Sequence, residues 1–190
     1  MRERTVLFVD DDAQLRAALA RTHRREPYRV LTASGPSAAL AVLRSCQVDV
    51  LVCDEAMPEM LGTEFIASTR LEFPTTVSIL LTGYGSLEVA QRAVNCGEVY
   101  RILSKPCPTA VVIQAVRDAL EHGSSIERLR RQLREAGQEP DGVLERLDYS
   151  EVAPVVFEVD DETVDLHRLV EELEVELDGT DRRPVADPPV

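Results

Sequence analysis

A chain of 190 residues with 34 acidic and 21 basic side chains, net charge −13, has room for one ordinary core and an appendage rather than two full domains. Residues 1–137 hold 17 acidic and 17 basic side chains and residues 138–190 hold 17 and 4, so the whole imbalance lies in the second segment. That distribution excludes the usual binders of nucleic-acid phosphates and anionic membranes, which present lysine and arginine, and favours a basic protein partner.

No stretch reaches the roughly 18 apolar residues of a membrane span. Met1-Arg2-Glu3-Arg4 leads into an apolar run rather than a signal peptide, so a cytoplasmic chain is expected. The four cysteines, Cys46, Cys53, Cys96 and Cys107, stand 7, 43 and 11 apart, a pattern of buried thiols rather than of a zinc or redox site.

Thr5 to Val9 is the first of five short apolar runs, and it ends in Asp10-Asp11-Asp12. Asp12 reads as the N-cap of a helix from Ala13, with Leu15 and Leu19 on its apolar stripe. The second run, Arg29 to Ala33, leads to Ser34, a plausible N-cap for a helix that turns Ala38, Ala41 and Val42 inward. The third, Val48 to Cys53, ends at Asp54. The fourth, Val77 to Leu81, ends at Thr82-Gly83, with Ser86 as a cap beyond it. The fifth, Tyr100 to Leu103, ends in Ser104-Lys105-Pro106. Strand and helix alternating at this spacing imply a parallel sheet covered on both faces. In such a sheet the working site lies beyond the carboxyl ends of the strands. Four strand ends thus bring carboxylates, a hydroxyl and an ammonium to one edge.

Lys105 is the one lysine among 21 cationic side chains. Drift in an arginine-rich chain would also leave a lysine behind, but its company at the sheet edge favours a chemical reason. An ammonium is a compact point charge, which a planar guanidinium does not replace where one charge must meet one phosphoryl oxygen. Clustered carboxylates repel one another unless a cation neutralises them, and two or three in a partly open site suit Mg²⁺. Phosphoryl transfer needs positioning and charge neutralisation more than covalent help, and these residue types supply both.

Residues Thr5 to His122 resemble the receiver domain of bacterial two-component response regulators. The resemblance runs through Val9-Asp10-Asp11, Asp54-Glu55-Ala56-Met57-Pro58 with Gly62 beyond, Thr82-Gly83 and Lys105-Pro106. It implies an α/β fold, a flavodoxin-like (βα)5 doubly wound parallel sheet. By the same resemblance Asp54 accepts the phosphoryl group, and Mg²⁺ is held by Asp10, Asp11, Asp54 and the backbone carbonyl of Ala56, with Asp11 a direct ligand. Thr82 is then the switch hydroxyl and Lys105 the phosphate-contacting cation. The implied partners are a sensor histidine kinase or phosphotransfer protein and a downstream protein. Catalysis is limited to the chain's own phosphorylation and dephosphorylation.

One position departs from the family pattern. Where members usually carry a switch Tyr or Phe, three residues before the lysine, stands Ile102, with Tyr100 two residues earlier. The stretch from Gly97 to Cys107 resembles receivers fused to cyclic-di-GMP phosphodiesterase domains. His23, His122 and His167 are the only histidines and none forms a His-Asp pair, so that hydrolase is not expected here.

After Pro108, the residues Val112, Ala115, Ala119, His122, Ile126, Leu129, Leu133 and Ala136 make a heptad seam suited to a short dimeric coiled coil. Gly123, followed by the capping-box pair Ser124 and Glu127, leaves open a fresh helix start at that point. The expected organisation is a receiver domain over 1–122, a helical extension over 123–137 and an acidic appendage over 138–177, followed by a disordered tail over 178–190. The appendage comprises a strand from Pro154 to Val159 and an amphipathic helix from Thr163 to Leu177. His167 lies in that helix as a solvated or interface residue.

Phosphorylation is expected to act on the face made by the fourth helix, fifth strand and last helix, changing dimerisation or partner contact. No basic segment of helix-turn-helix size follows the receiver, so DNA binding is not expected. Two other readings fit part of the pattern. One is a phosphorylation-independent dimeric scaffold. The other is a phosphatase of the haloacid dehalogenase type, in which Asp10 would be the nucleophile and Asp54 would have no role.

Overall fold

The computed structural model describes residues 2–83 and 99–136. The apolar runs form five strands, β1 (Thr5–Val9), β2 (Arg29–Ala33), β3 (Val50–Asp54), β4 (Val77–Thr82) and β5 (Arg101–Ser104). Between and after them lie helices α1 (Ala13–Thr22), α2 (Pro36–Ser45), α3 (Gly62–Arg70) and α4 (Thr109–Glu135), with one 3₁₀ turn at His23–Arg25. All strand pairs are parallel and the order is β2-β1-β3-β4-β5, the flavodoxin-like arrangement.

Successive strand residues point to opposite faces, and each face has its own core. Leu7, Val9, Leu51, Cys53, Leu80 and Ile102 pack with Ala39 and Leu43 of α2 and Phe65 and Ile66 of α3. Val6, Phe8, Val50, Val52, Ile79, Leu81 and Leu103 pack with Leu19 of α1 and with Val112, Ala115, Val116 and Ala119 of α4. Strands β1 and β3 are buried on both sides, which explains their unbroken apolar sequences. At the edge, β2 exposes Arg29 and Thr32, which blunts its open side.

The register aligns the strand ends. Val9 lies beside both Ala33 and Cys53, Asp54 beside Leu81, and Thr82 beside Ser104. Residues just beyond these pairs therefore share one edge.

The first turn of α2 differs from the sequence expectation. Ser34 is exposed, and Gly35 occupies the cap position with no side chain to offer. The Glu59 carboxylate takes over that role by accepting the Ser37 N–H at 3.2 Å. The inward face is Pro36, Ala39 and Leu43, while Ala38 and Ala41 are exposed, because the buried Pro36 at the first helical position sets the phase of the turn.

The last helix runs unbroken through Gly123 for 27 residues. A Cβ at Gly123 would come within 3.3 Å of Val77 Cγ2, so the helix passes close to the start of β4. Ser124 and Glu127 begin no new helix. The Ser124 hydroxyl donates to the Leu120 carbonyl at 2.8 Å, and both side chains accept from Arg4. Arg4 and Arg2 also hold the buried Asp49, which accepts the Thr5 N–H at 2.7 Å. Although burial pushes the Asp49 carboxyl up, these donors hold it below its ordinary value. Of the expected thiols, Cys53 is buried and Cys46 and Cys107 are half-buried. Ser86, Cys96, the strand and helix expected between Pro154 and Leu177, His167 and the tail over 178–190 lie outside the described residues.

Candidate functional site

Every residue expected to carry chemistry stands at the carboxyl edge of the sheet. Asp10 follows β1, Asp54 ends β3, Thr82 ends β4 and Lys105 follows β5. Backbone hydrogen bonds continue the sheet past its strands and fix these positions. The Asp10 N–H donates to Ala33 at 3.2 Å, Glu55 to Leu81 at 2.8 Å and Lys105 to Thr82 at 2.7 Å.

The Lys105 ammonium bridges two carboxylates, 2.9 Å from Asp10 Oδ2 and 2.8 Å from Asp54 Oδ1. The other Asp10 oxygen accepts the Asp12 N–H at 2.8 Å. Burial pushes the Asp10 carboxyl up, against the opposing pull of Lys105 and the Asp12 N–H. Burial would push the Lys105 ammonium down, but its hydrogen bonds to Asp54 and Asp10 outweigh that and hold it up. The ammonium is therefore charged, as a phosphoryl contact requires.

Asp10, Asp11 and Asp54 each offer a carboxylate oxygen, and these atoms all lie within 4.8 Å of one another. Asp10 and Asp54 are buried and Asp11 is exposed, which leaves the cluster open to solvent on one side. An all-oxygen, partly open site suits Mg²⁺, a hard cation that takes carboxylate oxygens and keeps several of its waters. The residues present fit that ion. Ala56 is exposed, two residues beyond Asp54, and Asp12 lies outside the cluster. The Asp12 side chain instead caps α1, accepting the N–H groups of Gln14 and Leu15.

Thr82 is fully buried and its hydroxyl donates to the Gly83 carbonyl at 3.2 Å. Ile102 is also fully buried and packs within the α2 and α3 core. Two residues back, Tyr100 stacks on His122 of α4 with ring centroids 4.7 Å apart. The Arg101 guanidinium lies 5.5 Å from the same tyrosine ring and pairs with Asp118 at 2.7 Å.

Two neighbours of the site escaped the sequence reading. Arg16 donates to the Asp10 carbonyl at 2.6 Å, a contact foreshadowed only by its place one turn into α1. Glu55 is 1% exposed, and its carboxylate turns away from the cluster to accept both the N–H and the hydroxyl of Thr63. An eight-residue separation across a loop gives no periodic signal for that pair.

Residues 6–117 match the family model described as the response regulator receiver domain. Over 120 residues the chain is 38% identical to the hydrogenase transcriptional regulatory protein HoxA of Cupriavidus necator, covering 63% of this chain and 25% of that protein. It is 35% identical over 119 residues to the transcriptional regulatory protein GlrR of Escherichia coli, covering 63% and 27%. The matched region thus spans about a quarter of these relatives. Among solved structures, the signal receiver domain of an HD domain-containing protein from Pseudomonas fluorescens Pf-5 is 35% identical with a TM-score of 0.63, covering 68% of this chain and 95% of that one. FixJ-N is 32% identical with a TM-score of 0.57, covering 64% and 97%.

Proposed function

The chain belongs to the response regulator receiver domain family, and on that premise we propose that it is a phosphorylation-driven signalling protein with Asp54 as phosphoacceptor. The observation that carries this reading is Lys105, whose ammonium sits 2.9 Å from Asp10 and 2.8 Å from Asp54 at the shared strand edge. In this reading Asp10, Asp11, Asp54 and the Ala56 carbonyl hold Mg²⁺, which when bound neutralises charge on the phosphoryl oxygens.

The donor is a phosphohistidine of a sensor kinase or phosphotransfer protein. An Asp54 oxygen attacks phosphorus, the P–N bond breaks, and its electron pair stays on the imidazole nitrogen. Lys105 contacts one phosphoryl oxygen, and the Thr82 hydroxyl leaves the Gly83 carbonyl to donate to another. Attack of water on the same phosphorus later releases inorganic phosphate and restores the carboxylate. The chain catalyses only these two steps on itself.

The output is protein contact, by dimerisation through the exposed end of α4 or by engagement of a downstream partner. The acidic excess of residues 138–190, 17 against 4, supports a basic protein partner over nucleic acid. Among the described residues no helix is long and apolar enough to cross a membrane, which is consistent with a cytoplasmic setting.

Intact mass and site mapping after incubation with acetyl phosphate and Mg²⁺, beside Asp54→Ala, test the reading. Label on Asp54 that disappears in the variant is expected. Label on Asp10 would support the phosphatase reading instead, and no label from either acetyl phosphate or a phosphorylated kinase would support a phosphorylation-independent scaffold.

A further inference from the structure

The loop between Asp54 and α3 carries the Ala56 carbonyl, and a backbone carbonyl can serve as a ligand only if its peptide is held in place. Glu55 is the residue that holds it on one side. Its N–H donates to Leu81 of β4 at 2.8 Å and its carbonyl accepts the Gly62 N–H at 3.0 Å. Its carboxylate accepts the Thr63 N–H at 2.9 Å and the Thr63 hydroxyl at 3.1 Å. On the other side Met57 is buried in the core with Phe65 and Leu80. Ala56 is thus an exposed residue between two fixed ones.

Placing a carboxylate here is costly unless it is fully used. A buried charge without donors is strongly disfavoured, and a fourth carboxylate turned toward Asp10, Asp11 and Asp54 would add repulsion. The start of α3 resolves both problems. Its cap residue, Leu61, has no acceptor side chain, so the first-turn N–H groups need outside partners, and the positive end of the helix favours an anion. Glu55 accepts two of those N–H groups, from Gly62 and Thr63, and Glu64 accepts that of Leu61 at 3.2 Å.

We propose that Glu55 is a positioning residue for the cation site, fixing the Ala56 carbonyl by anchoring the loop to β4 and α3. The proposal rests on the reading of Asp10, Asp11, Asp54 and Ala56 as the ligands of Mg²⁺. Groups that orient metal ligands without touching the metal commonly change affinity by roughly 10- to 100-fold when removed.

Calorimetric titration of Mg²⁺ alone into the full chain tests it, with Glu55→Ala, Glu55→Asp and Glu55→Gln compared at a temperature where each is folded by circular dichroism. Glu55→Ala is expected to bind Mg²⁺ about tenfold more weakly or worse. Glu55→Asp keeps the charge but falls short of Thr63 and is expected to lose a similar factor. Glu55→Gln keeps the side-chain length and an acceptor for the Thr63 N–H, and it is expected to recover most of the affinity. In Glu55→Ala the initial rate of Asp54 labelling by acetyl phosphate should return toward the wild-type value as Mg²⁺ is raised. Wild-type affinity in Glu55→Ala, or Glu55→Gln no better than Glu55→Ala, overturns the role of Glu55 while leaving the cation site intact. Should Glu55→Ala not fold, wild-type affinity in Glu55→Asp overturns it equally. A wild-type chain that binds no Mg²⁺ overturns the cation site itself, and the proposal with it.

Discussion

Arg4 and Glu127 are 123 positions apart in the chain, yet the guanidinium of one meets the carboxylate of the other at 3.2 Å. The same guanidinium reaches Asp49 at 2.7 Å and the Ser124 hydroxyl at 2.8 Å, so one side chain ties the starts of β1 and β3 to the distal half of α4. Arg4→Met should destabilise the chain by about 1.5 kcal/mol, the scale of losing charged hydrogen bonds that are partly open to water. Urea unfolding gives the magnitude. Hydrogen exchange should locate the loss, faster from Gly123 to Glu127 and little changed from Val112 to Ala119.

Lys105 bridges two carboxylates with one compact charge, and an arginine fork cannot occupy the same point. Lys105→Ala should slow Asp54 labelling by acetyl phosphate on the order of 100-fold, the usual effect of removing one preorganised charge from a transition state. Lys105→Arg should recover little of it. Both rates follow from the time course of intact mass at fixed Mg²⁺. A fully active Lys105→Arg would contradict the point-charge argument.

Gly62 opens α3 under the end of β3. A Cβ there would lie 2.2 Å from the Asp54 carbonyl oxygen and 3.0 Å from Leu80 Cδ1. Backbone cannot swing aside as a side-chain tip can, so Gly62→Ala must displace the end of β3 or the helix. A loss of about 3 kcal/mol is expected, near the upper end for overpacking a core position. Thermal or urea unfolding measures it.

His23 is fully buried beside Phe8 and Tyr28, with Nδ1 2.8 Å from the Leu19 carbonyl. Nδ1 therefore carries the proton, and among the described residues Nε2 has no partner. Burial holds the imidazole pKa below its ordinary value, outweighing the Leu19 hydrogen bond and Glu26. Below the unfolded value of about 6.5 the unfolded chain binds a proton that the folded chain does not, so stability falls as pH drops through that range and is complete above it. Ring ¹⁵N shifts followed through a pH titration should show the neutral Nδ1–H form persisting to lower pH in the folded chain than in the unfolded one, and an imidazolium forming at or above the unfolded value would refute the assignment.

The strand ends and the residues beyond them were readable because catalytic types interrupted apolar runs: Asp10 after Val9, Asp54 after Cys53 and Lys105 after Ser104. Burial on both faces of β1 and β3 made those runs unmistakable but erased the alternation that would have told inward from outward. Helix phase was harder to read. A serine before a proline looked like the cap of α2, whereas the cap comes from Glu59, 22 positions from the Ser37 N–H it accepts. Glu55 was hidden for a related reason, since nothing in the sequence pairs its carboxylate with Thr63, eight positions on. Only the three-dimensional path of the loop shows the carboxylate facing the helix behind it.

The isolation of Lys105 in an arginine-rich chain also makes the site unusually easy to observe. Because the chain has one lysine, ¹⁵N-lysine incorporated during growth places a single labelled ammonium in the molecule, between Asp10 and Asp54. Its resonance is assigned without any further experiment, and whatever changes the charge on either carboxylate must move it. The protein thus carries an intrinsic spectroscopic gauge at the centre of its own edge chemistry, needing neither a dye nor an introduced cysteine.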